Sequence, residues 1–191
     1  MKVKVFYAYF YTIKISTIFA SRSAQDYSLT QITKNRENSM AISERQKQLV
    51  QDSFTKVEPI ADKAADIFYS KLFEYDPSLR PLFKSDLSEQ GKKLMATLKI
   101  AVKSLDNLDV LVPVIENLAA KHIDYGVKVE DYTPVGNALL YTLKTGLGED
   151  FTPELKQAWI EVYTVLANVM RSHAYPNFDP NNFVNSKHYN H

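Results

Sequence analysis

The chain has 191 residues, 45% of them hydrophobic, and a formal net charge of +1. That length suits one domain with tails and a real core, and a charge so near zero gives no electrostatic footprint for nucleic acid. The absence of cysteine excludes disulfides, thiolate metal ligands and cysteine nucleophiles but leaves the compartment open.

The charge is uneven. Residues 1–40 hold Lys2, Lys4, Lys14, Arg22, Lys34 and Arg36 against Asp26 and Glu37, so they carry +4 and the remainder −3. They read as a separate N-terminal extension. The basic start and apolar, aromatic run of MKVKVFYAYFYTIKISTIFA resemble a secretory signal. Against that, Lys14 interrupts the run, Tyr and Phe stand where Leu and Ala are commoner, and IFASRSA is a poor cleavage region. The run is also too short and interrupted for a membrane span. Three readings stay open: a signal or membrane-surface anchor, a functional extension, or an over-extended reading of the gene with Met40 as the natural start. The last goes with a cytoplasmic protein, the first with an exported or membrane-associated one.

From residue 41 the apolar spacing is helical, which predicts an all-α domain over 41–173. Ser43 and Gln46 fit a capping box opening a helix to about Val57. Pro59 suits the first turn of the next, whose stripe is Ala61, Ala65, Phe68, Tyr69, Leu72 and Phe73. Asp76-Pro77 starts a short turn ending near Pro81 and Phe83. Ser85 to Ser88 open a helix with Leu87, Gln90, Leu94, Leu98, Ala101 and Leu105 on one face, broken at Asp106-Asn107. In the following helix Leu111, Ile115, Leu118 and His122 share a face, and Gly126 ends it. A helix over about Glu130 to Leu147 turns Tyr132, Val135, Leu139 and Leu143 inward. Thr152-Pro153-Glu154 opens the last helix, with Leu155, Trp159, Val162, Leu166 and Val169 inside. Residues 174–191, rich in Asn and Pro and aperiodic, read as a disordered tail; His188 and His191 there are surface histidines or adventitious metal ligands.

Tyr69, Gln90 and His122 each interrupt an apolar face, on three different helices. Singly, each has an ordinary explanation: a core Tyr whose hydroxyl finds a partner, a Gln at a stripe's edge, a core His with both nitrogens bonded. Together they outline a pocket with one nitrogen ligand on one side and two hydrogen-bond donors on the other. His122 is the only one of the four His inside the periodic helices before the last one frays at His173. A metal held by one protein ligand must bring most of its own coordination, as haem does.

These residues carry a resemblance to the globins across residues 43–173. FYSKLF surrounds Tyr69, DPSLRPLF ends at Phe83, SEQGKKLM surrounds Gln90, and AAKHIDYGV surrounds His122, with YTPVG and AW following. Fourteen residues separate Tyr69 from Phe83 and thirty-two separate Gln90 from His122. The pattern is similar to single-domain bacterial globins related to the haem domain of flavohaemoglobins. The resemblance implies a globin fold of six to eight helices around a pocket for haem b (iron protoporphyrin IX). It implies that His122 is the proximal iron ligand, that Phe83 wedges the haem, and that Leu94 lies over the iron. Tyr69 and Gln90 become the distal donors to bound O₂, and Tyr132 the Tyr that supports the proximal His. Lys93 stands where a basic residue meets a haem propionate, or is simply a solvated Lys. One departure is visible: where that branch has a Glu supporting the Tyr and His, the last helix reads RSHA, with Ala174 near the position.

With no distal His, bis-His ligation is not expected, and ferrous iron keeps an open position for O₂, NO or CO. The expected function is reversible O₂ binding. The competing enzyme reading is an NO dioxygenase served by an external reductase, because the chain ends before any flavin or nicotinamide domain. A gas sensor, which normally needs an output domain, and an all-α interaction module without haem complete the alternatives.

Overall fold

The computed structural model describes residues 42–187; the leading segment with its three readings, and His188 and His191, lie outside the described residues. Six α-helices follow in order: α1 Glu44–Val57, α2 Ala61–Tyr75, α3 Leu87–Lys103, α4 Leu108–Asp124, α5 Tyr132–Leu147 and α6 Pro153–Ala174. Short 3₁₀ turns occupy Glu58–Ile60, Pro77–Leu82 and Gly148–Asp150. There is no strand among the described residues, and no described helix is long and apolar enough to cross a membrane. The expected all-α class is the observed one.

The helix starts follow side-chain chemistry. Thr152 caps α6 by accepting from Leu155 N at 3.2 Å, with Pro153 at the first helical position. Within the expected Ser85–Ser88 start, Asp86 caps α3: its carboxylate accepts from Ser88 N at 2.9 Å and Glu89 N at 3.2 Å. A carboxylate there also meets the positive end of the helix dipole, which favours it over a serine one residue earlier.

The core joins α1, α2, α5 and α6. Trp159 on α6 is 2% exposed and donates from Nε1 to Ser53 Oγ on α1 at 3.0 Å. Removing such a buried indole costs about 3–5 kcal/mol. Gly91 marks the crossing of α3 over α2, since a Cβ there would stand 2.7 Å from Ala65 Cβ, inside van der Waals contact.

The packing of α3 and α4 decides the rest. α3 rests on α1 and α2, and α4 on α6, while α3 and α4 make no extended contact with each other among the described residues. The two helices meet where Ala101 on α3 joins the buried cluster of Leu111, Ile115 and Ala119 on α4. Leu87, Gln90, Leu94 and Leu98 on the α3 stripe, and Leu118 and His122 on α4, are only half-buried, although Leu111 and Ile115 on that α4 face are buried. Apolar surface left half-covered on both helices is surface that a ligand would bury favourably.

The chain beyond Ala174 departs from the expected disordered tail. Tyr175 donates its hydroxyl to Val127 O at 2.6 Å, Asn185 Nδ2 donates to Glu130 O at 3.3 Å, and Lys187 Nζ reaches Asp76 Oδ2 at 2.8 Å. These are contacts between distant parts of the chain, which carry no local periodicity for a sequence reading to detect.

Candidate functional site

His122 lies in the last turn of α4, and the helix end is built around it. Gly126, at φ +83°, takes the left-handed conformation that closes a helix. Gly126 N then donates to Ile123 O at 2.9 Å and Val127 N to His122 O at 3.0 Å, the paired bonds of a Schellman motif. The sequence HIDYGV therefore fixes the backbone that carries the imidazole. The ring is held as well: Nδ1 lies 2.8 Å from Leu118 O. A carbonyl only accepts, so Nδ1 carries the proton and Nε2 keeps its lone pair. Burial pushes the His122 pKa below the ordinary imidazole range, and the bond to Leu118 works the other way. The ring is thus neutral at pH 7, the form in which it ligates metals.

Tyr132 opens α5 and stacks on the His122 ring, with centroids 6.1 Å apart and planes at 21°. Its hydroxyl is buried and has no hydrogen-bond partner. The adjacent Tyr175 hydroxyl donates to Val127 O and keeps its acceptor lone pairs. Ala174, half-buried in the same cluster, offers no side-chain acceptor to the phenol. Burial, first of several causes, raises the Tyr132 pKa. Arg171 stands in this region instead of a carboxylate, its guanidinium 5.2 Å from the centre of the Tyr132 ring. It is 7% exposed and donates to Val129 O at 3.0 Å and Thr133 Oγ1 at 3.3 Å. The sequence reading missed Arg171, although its place one turn after the buried Ala167 was a signal.

On α2, Tyr69 is 5% exposed within an aromatic box. Phe68 meets its ring edge-on at 5.1 Å, Phe83 edge-on at 5.3 Å, and Phe73 stacks at 5.9 Å. Burial alone pushes the Tyr69 pKa up to about 12, so the phenol keeps its proton at physiological pH and remains a donor. Phe83 ends the Pro77–Leu82 turn, its backbone N donating to Arg80 O at 3.2 Å and its carbonyl accepting from Arg80 Nη1 at 3.0 Å. Gln90 is next to Gly91, and Ala65 is one turn before Tyr69, so the close crossing of α2 and α3 brings the Gln90 turn to the Tyr69 helix. Leu94 follows one turn along α3, half-buried, and Lys93 is exposed.

The residues therefore form two groups: Tyr69 and Phe83, with Gln90 and Leu94 on the crossing helix, and His122 with Tyr132. Among the described residues no three His, Asp or Glu side chains gather to hold a bare metal ion. One neutral imidazole with a free Nε2, half-covered Leu94, Leu98 and Leu118, and a neutral phenol make a donor set that fits an iron porphyrin, which brings four ligands and a large apolar face.

A family model described as Globin matches residues 66–170. The chain is 31% identical over 143 residues to a neuroglobin of Danio rerio, an alignment covering 68% of this chain and 90% of that relative. It is 36% identical over 106 residues to a flavohemoprotein of Bordetella parapertussis, covering 54% of this chain but 26% of that relative, so it spans about a quarter of the latter's length. A solved structure of an engineered carbene transferase, named for a nitric oxide dioxygenase of Rhodothermus marinus, superposes with a TM-score of 0.65 at 30% identity, covering 71% of this chain and 94% of that one.

Proposed function

The chain belongs to the globin family, and on that premise we propose that it holds haem b through His122 and binds O₂ reversibly at a pentacoordinate ferrous iron. The observation that carries this reading is the bond from His122 Nδ1 to Leu118 O, which leaves Nε2 free on a neutral, clamped ring. Haem, held by His122, would supply an iron able to bind one diatomic ligand. Phe83 and Leu94 would line the apolar face, Tyr132 packs behind His122, and exposed Lys93 would meet a propionate. Tyr69 and Gln90 donate hydrogen bonds to a ligand oxygen that carries partial negative charge. In a dry pocket each such bond is worth about 1 kcal/mol or somewhat more.

The second reading is NO dioxygenation with an external reductase. It is favoured by the similarity to the flavohemoprotein and to the structure named for a nitric oxide dioxygenase. Stopped-flow O₂ and NO kinetics on the ferrous protein, with its spectrum, separate the two. Reversible O₂ binding without sustained NO consumption supports the carrier; turnover of NO with a cellular reductant supports the enzyme. A purified protein that takes up no haem and shows no Soret band overturns both.

A further inference from the structure

Residues 175–187 run back along the domain and end on a charge cluster. Arg171 anchors the start, its guanidinium 5.7 Å from the Phe178 ring centre and 4.6 Å from that of Phe183. Phe178 and Phe183 pack on each other at 5.4 Å. Asn185 then bonds Glu130 O, and Lys187 N donates to Asn185 Oδ1 at 2.9 Å, which directs the Lys187 side chain.

Lys187 Nζ binds two carboxylates at once, Asp76 Oδ2 at 2.8 Å and Asp131 Oδ1. Both are buried, Asp76 at 8% exposure and Asp131 at 4%. They come from different places. Asp76 ends α2 and caps the turn leading to Phe83, accepting from Ser78 N at 3.1 Å and from Ser78 Oγ. Asp131 closes the loop that leads away from His122, accepting from Lys128 N at 2.8 Å, and immediately precedes Tyr132, which stacks on His122. Two buried carboxylates within reach of one ammonium repel each other strongly unless it is present. The other charged and titratable groups of this region are Lys128, Glu130, Arg171 and Tyr175. Of these, Lys128 meets Asp131 through its backbone N, Arg171 and Tyr175 donate to Val129 O and Val127 O, and Glu130 Oε1 accepts from Ser186 Oγ at 3.5 Å.

We infer that Lys187 is a positioning residue for the haem site: it neutralises the Asp76–Asp131 pair and so ties the Phe83 turn to the loop that follows His122. Haem retention in this inference rests on the proposed function; the tie itself does not. Burial opposes the Lys187 charge, but its bonds to Asp131 and Asp76 outweigh that and push it up to about 12. The ammonium is therefore charged at any physiological pH.

The test uses the full chain with haem and compares wild type, Lys187→Met, Lys187→Arg and Lys187→Met/Asp131→Asn. Hydrogen exchange is read at the amides of residues 125–131, and haem loss by transfer to an acceptor apoglobin. Lys187→Met should raise exchange in that loop and the rate of haem loss about tenfold or more, as expected for an uncompensated buried charge. Lys187→Arg should behave like wild type. The double variant, with one negative charge fewer, should recover most of the loss, which mere loss of packing would not predict. Exchange unchanged in Lys187→Met, or no recovery in the double variant, overturns the inference. If the protein carries no haem at all, the proposed function falls while the exchange comparison still decides this point.

Discussion

The Nδ1 of His122 lies 2.8 Å from the carbonyl oxygen of Leu118, one helical turn earlier on α4. That contact selects the tautomer and the rotation of the ring together, so the remaining nitrogen is presented in one direction as an acceptor. Since the His122 carbonyl is also bonded by Val127 N at 3.0 Å, both backbone and side chain are fixed before any ligand arrives. Pre-organisation of this kind removes ordering cost from binding.

The distal donors should be visible in ligand release. Tyr69→Phe and Gln90→Leu each remove one donor, and each should raise the O₂ dissociation rate about five- to tenfold, as expected for a net bond of about 1 kcal/mol or slightly more. CO release, with a less polarised ligand, should change less. Flash photolysis or stopped-flow mixing checks this, and unchanged O₂ rates in both variants would show that the donors are misassigned.

Tyr69 also predicts an alkaline limb in stability. Its hydroxyl titrates at 10.0 in the ordinary case and at about 12 in the fold, because burial disfavours the phenolate. The unfolded chain loses this proton first, so its contribution is fully present below 10 and is lost as pH rises towards 12. Tyr69→Phe should therefore flatten the fall in thermal midpoint between about pH 9 and 11 relative to wild type. Buried Tyr132, also raised, keeps part of the slope in that variant.

The buried hydroxyl of Tyr132 predicts a stabilising substitution. Tyr132→Phe deletes a buried donor with no partner and keeps the ring that stacks on His122. Stability should rise by about 1 kcal/mol, or roughly 2–4 °C in thermal midpoint for a chain of this size. A loss of stability in calorimetry would mean that the hydroxyl is satisfied in solution.

Much of this arrangement was legible in the sequence because it is local. Gly126 after HIDY, Thr152-Pro153 and the 3.6-residue stripes all act within a turn or two, and the structure places helix ends within a residue or two of them. His122 could be singled out as a lone imidazole on an apolar face, though it is half-buried rather than enclosed. The α3 stripe was read as one face, and its Leu94 and Leu98 are half-buried, since periodicity reports a face and not what covers it. Arg171 and Lys187 were missed for a related reason. Their partners lie on other elements, Val129 and Thr133 for one, Asp76 and Asp131 for the other. A polar residue whose partner is distant in sequence looks the same as a solvated one.

The most direct test of the account is the Soret spectrum of the full-length protein reconstituted with haem, as wild type and as His122→Gly. The wild type should show a stable Soret band; the variant should lose haem readily and recover a stable complex when free imidazole is added to occupy the vacated position. A variant that keeps the wild-type spectrum and haem affinity without imidazole would contradict the assignment of His122 as the iron ligand.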